Sequence, residues 1–245
     1  MRILLLWSLL IAALGVSASA ADVVILPGVR DNTLFEDADG DTSNGSGPAV
    51  FAGRNSQERT RRALLAFDLA GALPPDAHVE SVVLTLHVSS APDTMAQVFT
   101  LHRALGDWGE GQSSSSGGAG APATAGDATW LHAFYPGTFW IQPGGDFDPV
   151  ASATQTCGDI GFCSWSGPGL IADLTSWLHD PAGNHGWVLR GVESGPRTVR
   201  RFDSREASLP ANRPTLTIQF TRSDPVAATP RTWGWLKASY RRGAP

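Results

Sequence analysis

At 245 residues, with 42% hydrophobic and 17% charged side chains, the chain can fill one or two domains and bury a sizeable core, which excludes wholesale disorder. Its 27 glycines and 17 prolines argue against a helical bundle and require frequent turns, and a net charge of -5 argues against a sequence-independent nucleic-acid binder. Lysine occurs once, at Lys237, so the body of the chain offers no Schiff-base or P-loop lysine.

In chain order, residues 1–20 read as a secretory signal: Arg2 is the positive start, 3–16 is an apolar stretch, and Ala18-Ser19-Ala20 is a small-x-small cleavage site. That run falls short of the roughly 20 apolar residues that a spanning helix needs. No later segment is long and apolar enough to span a bilayer, so the expected location is secreted, periplasmic or cell surface, with no transmembrane segment. Residues 23–26, 49–53 and 62–68 are short strand candidates, separated by the turn-rich stretch 37–48. In 82–88 the apolar Val82, Leu84, Leu86 and Val88 alternate with Val83, Thr85 and His87, the period of a half-buried strand that turns His87 away from the core. The strand signal returns at 98–103.

Residues 111–126 read GQSSSSGGAGAPATAG and offer no large apolar side chain, so a long mobile loop is expected there. Strand signals resume at 170–174, 187–192, 199–203 and 215–220. One helical turn is expected at 175–179, capped by Thr175 and stopped by Asp180-Pro181. Many short strands at turn-rich intervals point to an all-β protein, two antiparallel sheets packed as a sandwich. Cys157 and Cys163 are separated by a loop with two glycines, and an exported chain meets oxidising conditions, so a disulfide is expected. No histidine spacing completes a four-ligand thiolate site.

Several segments taken together resemble the bacterial DNRLRE domain family: DNTLFE at 31–36, RALLAFDL at 62–69, VVLTL at 82–86, DWGEG at 107–111, DATW at 127–130, ADLT at 172–175 with Trp177, NHGW at 184–187, FDSRE at 202–206 and RPTL at 213–216. The eponymous run is matched in part, by Asp203-Ser204-Arg205-Glu206. The resemblance covers roughly residues 23–220. It implies a jelly-roll β-sandwich in secreted or cell-surface proteins, related to carbohydrate-binding modules for acidic polysaccharides such as alginate, and it does not imply catalysis. It also makes Trp108 a structural loop anchor.

Three groups of side chains suit ligands. Asp37, Asp39 and Asp41 alternate in DADGD, a spacing at which carboxylates can converge on calcium with help from Glu36 or Asp31, although Thr42 and Pro48 stand where an EF-hand needs Gly and Glu. Trp140 and Trp165 lie among glycine and proline and are the candidate sugar-stacking platforms, whereas Trp177 and Trp187 sit in apolar sequence and read as core. Arg190, Arg197, Arg200, Arg201 and Arg205 cluster in sequence. Along the strand at 199–203, Arg200 and Arg201 must face opposite ways, so one pairs with Asp203 or Glu206 and the other meets solvent, where a bidentate guanidinium suits a uronate carboxylate.

Catalytic signatures are scarce: HExxH, GxSxG and CxxC motifs are absent from the sequence. Asp146, Asp148 and Glu110 are the carboxylates a hydrolase or lyase on this scaffold would use. The tail at 222–245 places Trp233, Leu236 and Tyr240 at helical spacing beside Lys237, Arg241 and Arg242, and resembles the short Thr-Trp-Gly tails that end some secreted bacterial proteins. It suits contact with a surface or an export factor. The expected function is a non-catalytic module that binds polysaccharide or cell-surface matrix. The alternatives are a polysaccharide hydrolase or lyase, or a purely structural surface-layer protein.

Overall fold

The computed structural model describes residues 21–222; the signal-like segment and the tail beyond Arg222 lie outside the described residues. The strands are β1 (Asp22–Phe35), β2 (Thr42–Ser43), β3 (Ala49–Arg54), β4 (Thr60–Phe67), β5 (Ala77–Ser90), β6 (Gln97–Arg103), β7 (Ala121–Pro122), β8 (His132–Phe134), β9 (Thr138–Phe139), β10 (Ala153–Cys157) and β11 (Gly161–Ser166). Helix α1 (Pro168–His179) follows, then β12 (Trp187–Arg190), β13 (Arg200–Asp203) and β14 (Thr215–Arg222). Every strand pairing is antiparallel, and the class is all-β.

Two sheets face each other. In the front sheet β5 is central, with β11 on one edge and β14 followed by β13 on the other; β14 then pairs with the first half of β1 and β13 with β3. The back sheet runs from the second half of β1 through β4, β12 and β6 to β10. Two strands turn the corner between them. β1 leaves β14 after Pro27 and joins β4 through an irregularity between Gly28 and Arg30, a bulge of the kind that bends a strand from one sheet to the next. β3 pairs with β13 through Ala52 and with β4 from Gly53. Gly53 has φ 110°, and a Cβ there would stand 2.7 Å from the Val199 Cα, so only glycine fits this corner.

The period-two pattern of β5 is realised: Val82, Leu84, Leu86 and Val88 are buried between the sheets with Leu216, Ile218 and Phe202, against Leu65, Phe67, Leu101, Trp187 and Leu189 of the back sheet. Phe99 and Phe202 meet edge to face across the gap, 5.3 Å between centroids. The disulfide Cys157–Cys163 joins the end of β10 in the back sheet to β11 in the front sheet, so it fastens two edge strands of opposite layers.

Two expectations from sequence are corrected here. Residues 170–174 form no strand; they belong to α1, twelve residues long, with Pro168 in its first turn and Gly167, not Thr175, before it. Leu170, Leu174 and Trp177 recur at helical spacing and are buried, while the stop at Asp180 stands as expected. The stretch 111–126 does not hang free. Ser113 is buried, the Ser115 amide donates to Asn44 Oδ1 (2.6 Å), and Ala121–Pro122 pairs with Thr42–Ser43. Its composition lacks apolar mass, but backbone and hydroxyl hydrogen bonds to the 42–46 turn supply the anchorage instead.

Candidate functional site

The two outer faces of the sandwich differ. That of the back sheet is covered by the long 104–150 connection, whose Trp108, Ala128, Ala133 and Trp140 pack with Leu34, Leu64 and Val188 in a second core. Trp108 donates from Nε1 to His185 O (2.8 Å) and Trp140 to Thr129 O (2.9 Å). Asn32, fully buried on β1, organises this cover: its Nδ2 donates to Glu110 O (2.9 Å), and its Oδ1 accepts from Ser43 Oγ (2.9 Å) and the Asn44 amide (3.2 Å).

The outer face of the front sheet carries no such cover among the described residues. Register places Ile25, Thr217, Val83 and Ser166 in one cross-strand row, Pro27, Thr215, Thr85 and Ser164 in the next, and His87 beside Phe162 in a third. Phe162 is 63% exposed and meets the His87 ring edge-on at 4.9 Å. His87 Nδ1 lies 2.8 Å from Asp203 Oδ2, which also accepts from Asn212 Nδ2 (3.1 Å), while Arg201 Nη1 donates to Asp203 Oδ1 (3.2 Å) and to Ser89 Oγ. Beside them Pro48, Arg201, Asp203, Ala207, Ser208, Leu209 and Asn212 line a recess of about 250 Å³. An exposed aromatic edge next to a guanidinium, a carboxylate and a primary amide is chemistry that can stack on a sugar ring and hydrogen-bond its substituents.

The five arginines grouped by sequence occupy different environments. Arg200 is 0% exposed: its guanidinium donates to Gly158 O (3.2 Å), Val199 O (3.2 Å), Met95 O and Asp93 Oδ1 (3.4 Å), which removes it as a ligand residue. The expected partner of the inward arginine was Asp203 or Glu206; Asp203 instead holds the outward-facing Arg201, because the strand turns both side chains to the same face. Arg190 shares Glu193 with Arg62 and stacks over Phe147 at 5.0 Å on the back-sheet side. Burial alone would raise the Glu193 carboxyl, but the hydrogen bonds from Arg62 and Arg190 outweigh it and hold the group at about 2. Arg197 sits in an exposed turn at φ 66°.

Neither tryptophan chosen as a platform is exposed. Trp165 is 0% exposed and donates to Phe99 O (3.0 Å), because β11 alternates: Cys163 and Trp165 point inward, while Phe162 and Ser164 point outward. Trp140 is buried under the back-sheet cover. The same alternation, legible in GFCSWS, identifies Phe162 as the aromatic that sequence reasoning passed over.

The carboxylates Asp37, Asp39 and Asp41 do not converge. Asp37 Oδ1 accepts the Gly40 amide as a turn cap, and Asp39 and Asp41 are exposed. Among the described residues a different trio comes together: Asp31, Glu110 and Glu206 each offer an oxygen within 4.8 Å of the other two. Arg205 bridges them, donating from Nε and Nη2 to the two Glu110 oxygens (2.6 and 2.8 Å) and from Nε to Glu206 Oε1 (2.8 Å). Burial pushes the Asp31 carboxyl well above the usual carboxylate range, and it also raises Glu206. DNTLFE, DWGEG and FDSRE, far apart in sequence, thus meet at one point.

The remaining catalytic candidates serve the backbone. Asp146 accepts the Ile141 and Gln142 amides (2.9 and 3.0 Å), and Asp148 accepts the Val150 amide (2.9 Å). No helix among the described residues is long and apolar enough to cross a membrane. Compared with known protein families, the chain matches none, and no curated protein matches it.

Proposed function

We propose that the chain is an exported, non-catalytic module that binds polysaccharide or cell-surface matrix, acidic glycans above all, on the outer face of the front sheet. The observation that carries this reading is the row of exposed Phe162 with half-buried His87, Arg201 and Asn212, held from beneath by the buried Asp203, beside a sugar-sized recess, on the one outer face that no connection covers among the described residues. Phe162 supplies the stacking surface, Asn212 reads hydroxyls, and the buried Asp203 orients His87, Arg201 and Asn212. Arg201 exchanges part of its pairing with Asp203 for a uronate carboxylate. The signal-like start and the disulfide support export.

Affinity electrophoresis against a polyuronate and a neutral glucan tests the reading. Retardation by the polyuronate is expected, weakened about tenfold by Phe162→Ala or Arg201→Ala, each equivalent to about 1.4 kcal/mol. Equal affinity for neutral and acidic polymers, or binding indifferent to both substitutions, would remove the site. New reducing or unsaturated ends in the incubated polymer would make the protein an enzyme and overturn the non-catalytic reading.

A further inference from the structure

The cluster of Asp31, Glu110 and Glu206 holds more negative charge and more acceptor capacity than its neighbours satisfy. Asp31 is 1% exposed; its Oδ2 accepts the Arg205 amide (2.7 Å), but its Oδ1 has no hydrogen-bond partner. Glu206 gives Oε1 to Arg205, and its Oε2 is likewise buried and unpartnered. Glu110 is engaged at both oxygens, with Oε1 accepting the Asp31 amide (2.9 Å) as well as Arg205. Arg30, at the corner beside Asp31, is turned away to Asp107 (2.9 Å) and Trp108 O (2.6 Å). Two buried oxygens here lack donors, and were all three carboxyls ionised, the single guanidinium would leave two negative charges in a partly dry site.

We propose that Asp31, Glu110 and Glu206 bind one calcium ion, which the unpartnered Asp31 Oδ1 and Glu206 Oε2 ligate. A divalent cation cancels the excess charge, and all the donors are hard oxygens. Calcium suits them better than magnesium because it accepts an irregular carboxylate set, whereas magnesium demands near-octahedral geometry and keeps its water. The ion joins β1, the loop after β6 and the turn after β13, segments 79 and 174 residues apart along their hydrogen bonds, so its role is to lock the corner of the sandwich. A proton shared by Asp31 and Glu206 would also relieve the two oxygens, but it predicts a site indifferent to calcium. The inference stands apart from the glycan reading, since no residue of the Phe162 row takes part.

The test uses the purified full chain stripped with EGTA, titrated calorimetrically with calcium chloride and, separately, magnesium chloride, with thermal unfolding followed in parallel. The expected result is one calcium per chain, a melting temperature that rises with calcium concentration, and weaker binding of magnesium. Glu206→Gln, at a half-buried position that tolerates an isosteric amide, should bind calcium about tenfold or more weakly, and Asp39→Asn in the exposed acidic turn should bind it as the parent does. Asp31→Asn should behave as Glu206→Gln; if that variant does not fold, Glu206→Gln alone decides. Absence of both heat and thermal shift with calcium, or undiminished calcium binding by Glu206→Gln, would overturn the proposal.

Discussion

Arg200 is the side chain whose removal gives the most informative stability measurement, because it is wholly buried yet charged. Substitution by methionine keeps the apolar stem and deletes the guanidinium. Breaking a buried charged network by removing one partner costs about 3–5 kcal/mol where the other partner is left dry. Here Asp93 is 36% exposed and recovers water, so the stranded carboxylate adds little. The loss then falls on three carbonyls, Val199, Gly158 and Met95, each of which gives up a charge-assisted bond worth about 1.5–3 kcal/mol if nothing replaces it. Gly158 and Met95 lie in exposed turns where water can substitute, which brings Arg200→Met to about 2–3 kcal/mol. Arg200→Ala should lose about 1–2 kcal/mol more, since each buried methylene contributes about 0.8 kcal/mol. Urea unfolding measures both, and the slope should stay at the parent value while the midpoint falls. An Arg200→Met midpoint within about 0.5 kcal/mol of the parent would refute the claim that this arginine ties the β5–β6 turn and the disulfide loop to the sandwich.

The neighbouring aromatics of β11 should separate cleanly: Trp165→Ala empties a fully buried site and should cost about 3–5 kcal/mol in urea unfolding, whereas Phe162→Ala should leave stability nearly unchanged. Comparable losses for the two would contradict the facing assigned to the strand. Glu193 contributes stability because its folded value of about 2 lies below the ordinary 4.5. That contribution is complete above pH 4.5 and disappears as pH falls through about 2; at about 1.4 kcal/mol per unit, cut roughly in half for a partly exposed side chain, it amounts to about 1–2 kcal/mol. The stability gap between the parent and Glu193→Gln should therefore narrow from pH 6 to pH 3, and a constant gap would show that the carboxylate is not held by Arg62 and Arg190. Reducing Cys157–Cys163, which closes a short loop, should lower stability by about 2 kcal/mol, read as a drop of about 4–8 °C in melting temperature.

Much of the scaffold is written in local patterns. The period of two in β5, the short apolar or alternating runs of β3, β4, β6, β12, β13 and β14, and the turn-forming residues between them are properties of adjacent side chains, so the all-β class and these strand positions follow from the sequence alone, whereas β10 and β11 do not. Proximity of the two cysteines did the same for the disulfide. Even the rule that Arg200 and Arg201 face opposite ways needs only the pleat, though the pleat cannot say which way is inward or that Asp93 waits there.

What failed were inferences from composition. Small polar residues at 111–126 looked too poor in apolar mass to order, yet Asn44 and the 42–46 turn, some seventy residues away, satisfy their backbone. Glycine and proline around Trp140 and Trp165 suggested exposed loops, but one tryptophan belongs to an alternating strand and the other lies beneath a long connection folded over the back sheet. Carboxylates close in sequence, Asp37 to Asp41, do not come together, while Asp31, Glu110 and Glu206 meet because β1 crosses between sheets just where the loop after β6 and the turn after β13 arrive. Strand periodicity depends on neighbours in the chain, and a handful of residues suffices to reveal it. The convergence of charges and the choice of which face stays open depend on how distant segments pack, and only the tertiary structure decides those.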